Sequence, residues 1–593
     1  MQHSLARGQP YYFWLEIGAP VEGSATRARV ELPIEQLPTD AELDVFLFAS
    51  GGGFVVPVEG GRIRVASDEI GVTHPLARPT VSSELLARRL FFPVIAPRAS
   101  GQHHLWCCIY HQDVLIQSHD ITVVVTARRR DLGRRSIESR MDYTLSTRLE
   151  LGSFAGFGAH RLSIASNSGP TGSHGFWFTA GRGELRRGAS FDGHEVQDLI
   201  DRACRAFRMV SWGTTAPWQP GSAYRYERSA TLAQLTADLA RLAIAGFRNY
   251  DAMIERLGGD DQLGELMRRP GTIQLALKES ARFVLPIALC YDHRLDVDAA
   301  PEQYSLCPQF VRSTDDLEHH PCFLGDCPNR DLAGNRTVCP SGFWGFRHEI
   351  GVPPTLGTGA GAPEDLPAVL VCPGVPTVVV AISTDPRMRE RDDHIRNLKG
   401  LLGAPAPAVA ESRSATLALL RSARAHLVYF YCHGGVDDDV PYLQIGALEE
   451  RLSRATLRSE RIRWTEPRAL VFMNGCYTAD LEPERAIDLV TGFIQTARAS
   501  GVIGTEITVF EPLATAFAEA FFARLLERRP VGAAVRLARL RLLKDWNPLG
   551  LLYVPFAMAT LRLSSGVASA TASQSPFPRR DAPPRGPHSS GTA

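Results

Sequence analysis

The chain has no surplus of charge of either sign: 64 Lys and Arg residues stand against 64 Asp and Glu in a length of 593. That balance excludes a global field able to draw the protein onto nucleic acid or an anionic membrane. Long apolar runs are missing too. The longest, AVLVCPGVPTVVVAIST from Ala368 to Thr384, is broken by two prolines and falls short of a spanning helix. The opening MQHSLARGQPYYFWLEI lacks the charged-then-apolar order of a secretory signal. Cysteine is present, but as eleven residues, an odd number unevenly spread, with Cys107 and Cys108 adjacent, which suits reduced thiols better than a secreted disulfide framework. No internal repeat marks a solenoid. These absences lead to the expectation of a soluble cytoplasmic protein with no membrane partner, long enough for roughly two to four domains.

What is there divides into three segments and a tail. From Tyr11 to Ala127 the runs YYFWLEIG, ELDVFLFAS, RLFFPVIAP, HLWCCIYHQ and DITVVVTAR alternate with Gly, Pro and Asp-rich turns, the pattern of an antiparallel β-sandwich over 1–127. RRRDLGRR opens an Arg-rich linker, 128–139; a short arginine run is usually a solvated face, so nucleic acid is not expected as a partner. Residues 140–271 form a mixed α+β accessory region. One of its helices is marked by Val196, Leu199, Ile200, Ala203 and Phe207, and a second by Leu232, Leu235, Leu239, Leu242, Tyr250 and Ile254.

Beyond residue 272 strands alternate with helices. FVLPIALCYD (283–292), PTVVVAIST (376–384), HLVYFYCHG (426–434) and ALVFMNGCY (469–477) contain continuous apolar runs, the signature of parallel-sheet strands covered on both faces, and GVIGTEITVF (501–510) supplies a fifth strand. DDHIRNLKGLL, ATLALLRSAR and ERAIDLVTGFIQTARA are helical between them. An open α/β domain is expected over 272–563, and such domains bind ligands beyond the carboxyl ends of their strands. His433 and Cys476 each end an apolar strand. If the strands are neighbours, imidazole and thiol emerge at one edge, where the imidazole can take the thiol proton and the thiolate can attack an acyl carbon. Gly434 and Gly435 allow close backbone approach, with an N–H for a developing oxyanion, and Gly475 permits a tight turn before the cysteine. Cys290, Cys372 and Cys432, inside apolar runs, read as small buried residues.

HLVYFYCHGG and ALVFMNGCYTAD, followed by ASGVIGTEITVFEPLATAFAEAFFARLLERRPVGAAVRLARLRLL and NPLGLLYVPFA, resemble the CHAT-domain cysteine peptidases of the caspase-like clan, as found in bacterial multidomain proteins. The resemblance covers roughly 272–563 and implies an α/β/α sandwich with a mostly parallel sheet. It implies His433 as general base, Cys476 as nucleophile, and the backbone N–H groups of Gly434 and Cys476 as oxyanion hole. No cofactor is required for that chemistry. Relatives often place an acid in the first specificity pocket and cut after Arg or Lys; the candidates here are Asp437, Asp438, Asp439, Glu506 and Glu511. Two features depart from the family pattern: Gly475 precedes the cysteine where Ala is frequent, and VIGTEITVF replaces a Val-Gly-Ser-Leu-Trp-like run.

The resemblance implies a protein substrate, a regulatory protein partner acting through the N-terminal half, and a role in a bacterial defence or signalling system. A non-catalytic caspase-fold adaptor is the alternative, disfavoured because both dyad members are present. One cluster belongs to neither reading. The insertion 304–351 holds Cys307, Cys322, Cys327 and Cys339, spaced C-x14-C-x4-C-x11-C, with His319 and His320. That set suffices for a tetrahedral structural zinc, although it lacks the C-x2-C pairs of a zinc ribbon, and reduced structural thiols are the other reading. The tail 564–593, rich in Ser, Pro, Arg and Gly, is expected to be disordered.

Overall fold

A computed structural model of the chain describes residues 3–565, apart from 18–23, 26–40, 50–52, 66–69, 75–78, 147–158, 169–172, 228–229, 280, 282, 357–364, 448–449 and 477–482. The tail 566–593 lies outside the described residues. No helix among the described residues is long and apolar enough to cross a membrane.

The apolar runs of the N-terminal part pair as one sheet. Its strands are β1 (Leu5–Ala6), β2 (Ala41–Ala49), β3 (Gly60–Val65), β4 (Ile70–His74), β5 (Gly101–His111), β6 (Val114–Thr126) and β7 (Ile137–Thr144). The order is β1-β6-β5-β2-β3-β4, with β7 also on β6. All pairings are antiparallel except the short β1–β6 contact. Pro10–Leu15 and Leu90–Ile95 form a separate two-stranded ribbon. The sheet passes the expected boundary at 127, because β7 pairs with β6. The arginine run between them is not a free linker: the Arg130 carbonyl accepts the Ser4 N–H at 2.9 Å.

A second sheet contains β8 (Leu162–Ser168), β9 (Ser173–Ala180), β10 (Leu185–Asp192), β11 (Thr272–Leu277) and β12 (Glu349–Gly351), in the order β10-β9-β8-β11-β12. Two helices follow β10: α1 (Gly193–Trp212), started by an Asp192–Glu195 capping box, and α2 (Leu232–Arg256). They bury the expected stripes, from Val196 to Phe207 and from Leu235 to Ile254, while Leu232 at the start of α2 is exposed.

Two expectations for the region after residue 272 need correction. The segment 272–277 is β11, in register with β8 and β12, so it belongs to this second sheet. The strand expected over 283–292 does not form; Ile287–Leu289 is a single 3-10 turn after Pro286. Proline has no N–H to give a ladder. The run is apolar because it is buried in the core, where the Trp344 N–H donates to the Cys290 carbonyl at 2.9 Å.

The third sheet follows the expected α/β alternation. Its strands are β13 (Val378–Ile382), β14 (Ala408–Ala410), β15 (Leu427–Asp437), β16 (Val440–Gln444), β17 (Arg451–Ser453), β18 (Leu470–Cys476), β19 (Gly501–Thr505) and β20 (Tyr553–Ala557). The main path is β14-β13-β15-β18-β19-β20, parallel until the antiparallel β20. β16 folds back on the end of β15, and β17 pairs with β16. Helices α3 (Arg391–Leu402), α6 (Glu511–Leu526) and α7 (Val531–Lys544) cover one face; α4 (Arg413–Ser422), the turn Arg454–Ser459 and α5 (Pro483–Thr491) cover the other. This is an α/β/α sandwich.

The rings of Tyr429, Phe472, Phe517, Phe521, Phe522 and Tyr553 pack between the sheet and α6. Burying each such side chain is worth about 1.5–3 kcal/mol. A polar chain runs through this core. Asn474, fully buried on β18, donates to the Tyr429 hydroxyl at 2.9 Å and to the Ala514 carbonyl at 2.7 Å, and accepts from the Tyr553 hydroxyl at 2.9 Å. The side chain of Asn474 therefore ties β15, β20 and α6 to the strand that ends in Cys476. Replacing Asn474 with Leu leaves the Tyr429 and Tyr553 hydroxyls and the Ala514 carbonyl each short of this partner. The expected loss is about 1–3 kcal/mol, checked as a lower melting temperature by calorimetry.

Candidate active site

Three neighbouring parallel strands, β13, β15 and β18, end at the same edge of the third sheet. Register then decides which residues meet. Ile382 pairs with Tyr431, and two residues further along β15 His433 pairs with Cys476, the last residue of β18. The segment 477–482, with Tyr477, Thr478 and Asp480, lies outside the described residues.

The edge also contains an acid that the sequence reading did not single out. Three residues beyond β13, Asp385 lies with Oδ2 at 3.1 Å from His433 Nε2, both side chains almost fully buried. Asp385 is held from several sides. Its N–H donates to Ser383 Oγ at 3.2 Å, its Oδ1 accepts the Arg387 N–H at 2.9 Å, and the Arg387 guanidinium donates to Oδ2 at 2.6 and 2.9 Å. The turn beneath it is fastened by the Ser383 N–H on the Tyr431 carbonyl and the Thr384 N–H on the Gly446 carbonyl. Gly446 has φ +75°, and a Cβ there would come within 2.7 Å of the Glu411 carbonyl, so the position requires glycine.

The Arg387 hydrogen bonds, with the His433 charge, hold the Asp385 carboxyl down to about 2, against an ordinary 3.8. It is a carboxylate at any pH of interest and can only accept. Nε2 of His433 must therefore carry the hydrogen of that bond, which in the neutral ring makes Nδ1 the basic nitrogen. A positioned imidazole backed by a buried carboxylate can accept a proton and remain stable as imidazolium.

Past His433 the chain continues as a hairpin. Gly434 faces Leu443 and Gly435 faces Tyr442 on β16. A Cβ on Gly435 would lie 2.6 Å from the Tyr442 hydroxyl, so only glycine leaves room for that ring.

The five acidic candidates fall in three places. Asp437 ends β15 and ion-pairs with Arg451, while Asp438 and Asp439 are the two central residues of the tight turn, with φ of 44° and 64°. Both positive φ angles fit a type I′ hairpin, a conformation Asp tolerates. At about 3.3 Å per residue the tip stands roughly 16 Å along the strand from His433. Glu511, at the start of α6, accepts from the Tyr431 hydroxyl at 2.7 Å and from the N–H groups of Arg389 and Glu390 at 2.8 and 2.9 Å. It is a tie between helices α3 and α6. Glu506 is different. It follows β19, next to β18, and makes no ion pair among the described residues. Burial pushes its carboxyl up to about 7, partly opposed by the Arg539 guanidinium. Cysteines 307, 322, 327 and 339 also come together, in the separate insertion that contains them.

Comparison with known proteins shows the family of the chain. The CHAT domain profile matches residues 350–576. A probable protease of Vitiosangium sp. (strain GDMCC 1.1324) is 43% identical over 592 residues, spanning 96% of this chain and 76% of that protein. Among solved structures, the Saccharomyces cerevisiae separase–securin complex aligns over 67% of this chain and 30% of the separase-complex chain, with 13% identity and a TM-score of 0.36.

Glu506 gives a pH test. Its folded value, about 7, exceeds the ordinary 4.5, so its neutral form is favoured by folding. That stabilising contribution is complete below pH 4.5 and declines as pH rises through 7. The Glu506→Gln variant should melt like wild type near pH 4 and above it at pH 8, measured by differential scanning fluorimetry across the range.

Proposed function

Because the chain belongs to the CHAT-domain peptidases, we propose that it is a cysteine endopeptidase acting through Cys476 and His433, with Asp385 as the positioning residue for the imidazole. The observation that carries this reading is the register of β15 and β18, which sets His433 beside Cys476, with a buried carboxylate on His433 Nε2.

In this reading His433 takes the Cys476 proton at Nδ1, and the thiolate attacks the peptide carbonyl carbon. The N–H groups of Gly434 and Cys476 receive the oxyanion. As the C–N bond breaks, the imidazolium returns the proton to the leaving amine, and the amino-terminal part of the substrate stays on sulfur as a thioester. Water, deprotonated by His433, then releases the acid and restores the thiol. Asp385 keeps the ring in one tautomer and orientation and stabilises the imidazolium in both steps.

Of the acids, Glu506 best fits a first specificity pocket for Lys or Arg. It stands at the catalytic edge without an ion-pair partner among the described residues, whereas Asp437 and Glu511 are engaged elsewhere. With the carboxyl near 7, discrimination for a cationic side chain should rise with pH through neutrality. The loop after Glu506 also touches the accessory half. Phe510 stacks on Tyr224 with ring centroids 4.9 Å apart and meets Trp212 at 6.2 Å. This contact supports regulation by a protein partner bound to the N-terminal half, in a bacterial defence or signalling setting of the kind the family resemblance implies.

Cleavage of a peptide library should reveal a preference for Lys or Arg before the scissile bond, abolished in Cys476→Ala and His433→Ala. Retained cleavage in Cys476→Ala rejects the nucleophile assignment. Asp385→Asn should keep KM and lower kcat at least about tenfold, less than the roughly 10⁴ lost in a serine triad, because a thiol depends less on its base. Loss of the carboxylate should also move the acidic limb of the pH profile, which reports protonation of the His433 base, to lower pH. A purely structural role for Asp385 would leave that limb in place.

A further inference from the structure

The insertion between β11 and β12 is built mostly from turns, yet it buries four cysteines from four separate places. Ser305–Leu306 and Thr337–Val338 form a two-residue parallel ladder, and the next residue on each strand is Cys307 or Cys339. The Cys307 N–H donates to the Val338 carbonyl at 2.8 Å, so the two cysteines leave the ladder side by side. Cys322 lies in the 3-10 turn Pro321–Leu324, which Gly325 closes at φ +99°. Cys327 follows two residues after that glycine.

The four sulfurs lie within 4.8 Å of one another, and the cysteines are 0, 0, 8 and 0% exposed in the order 307, 322, 327 and 339. They form no disulfide. Sulfurs about 2.3 Å from a zinc ion at the corners of a tetrahedron are about 3.8 Å apart, so a modest contraction of this cluster encloses one ion. Polar hydrogens already approach the sulfurs. Asn329 Nδ2 donates to Cys307 Sγ at 3.2 Å, and Ser341 Oγ lies 3.1 Å from Cys339 Sγ.

The neighbouring histidines are committed elsewhere. The His320 ring accepts the Cys322 N–H on Nδ1 at 3.2 Å and meets the Gln309 carbonyl through Nε2 at 3.2 Å. His319 is exposed and pairs with Asp316 at 2.9 Å. The donor set is therefore four sulfurs. Simple apolar packing of reduced thiols accounts for their burial but gives no reason for four turns to bring sulfur to one point.

We propose that Cys307, Cys322, Cys327 and Cys339 hold one structural zinc ion in a closed four-thiolate site. With every ligand position filled by protein, the ion has no place for water or substrate and serves the fold. Its position explains why the fold needs it. The insertion is wedged between the accessory half and the catalytic domain. On one side Arg330 donates to the Gly264 carbonyl at 2.6 Å and Arg269 to the Leu324 carbonyl at 2.8 Å. On the other, Arg536 and Arg539 of α7 donate to the Phe346 and Gly345 carbonyls at 3.0 and 2.9 Å. Zinc binding to such a segment is folding free energy for the joint between the two halves.

Elemental analysis of the full chain, purified without chelators from zinc-replete cells, should give about one zinc per chain. Titrating the four thiols with an organomercurial should release that zinc to a metallochromic indicator, a readout that requires no variant to fold. Cobalt exchanged into the site should show the charge-transfer and ligand-field bands of tetrahedral thiolate coordination. Cys327→Ser should lose the metal and melt at lower temperature, Cys327→His should retain it, and Cys372→Ser, at a buried cysteine outside the cluster, should match wild type. Zinc well below one equivalent with all four thiols free to alkylate, iron in its place, or a Cys327→Ser protein with full zinc would each overturn the proposal.

Discussion

The pairing of β15 with β18 is the constraint on which the site depends. Seven consecutive pairs, from Leu427 with Leu470 to His433 with Cys476, run in parallel register. A slip of one residue would reverse the facing of every side chain on one strand and separate the two ends. The pairing is protected by what lies on both faces. Tyr429 and Phe472 pack with α6, Phe430 packs with Phe493 on the opposite face, and Asn474 reaches from β18 to the Tyr429 hydroxyl. An apolar strand alone could slide at modest cost. A fully buried amide with three partners cannot, because each displaced hydrogen bond leaves a desolvated polar group behind.

From that register the candidate site at the edge of the sheet is assembled by short connections. β13 delivers Asp385 three residues past its end, and β15 delivers His433 before turning into a hairpin. β19 delivers Glu506 immediately past its last residue. Charged side chains thus collect at the carboxyl end of the sheet, while the polar groups inside it, such as Asn474, are uncharged. The buried Asp385 is kept ionised by Arg387, whereas Glu506, without an ion pair among the described residues, is held nearer neutrality by burial. Two carboxyl groups at one edge therefore have opposite charge tendencies, set by their surroundings.

Much of this was legible in the sequence because continuous apolar runs of Val, Ile, Phe and Tyr declare doubly covered strands, and their ends declare the edge. HLVYFYCHG and ALVFMNGCY put His433 and Cys476 at strand ends, and the ladder pairs those two positions. Asp385 was missed although it follows PTVVVAIST by one residue, since its relevance depends on β13 lying next to β15. Strand order across a crossover of more than forty residues is a tertiary property. The apolar run HLVYFYCHG stops at residue 434 while the ladder continues to Asp437, so the hairpin that takes Asp437, Asp438 and Asp439 away from His433 is not marked by apolarity. FVLPIALCYD misled for a related reason: apolarity reports burial, and Pro286 and the packing of Trp344 decide that the buried segment is not a strand.

If His433 and Cys476 form one reactive pair, it is because the β15–β18 register brings the two positions side by side. The most direct test of that pair is intact-mass analysis with peptide mapping after exposure to a peptidyl acyloxymethyl ketone bearing Lys or Arg. A single adduct on Cys476 is expected, formed far more slowly when His433 is replaced by Ala. An adduct on another cysteine, or equal labelling of Cys476 without His433, would contradict it.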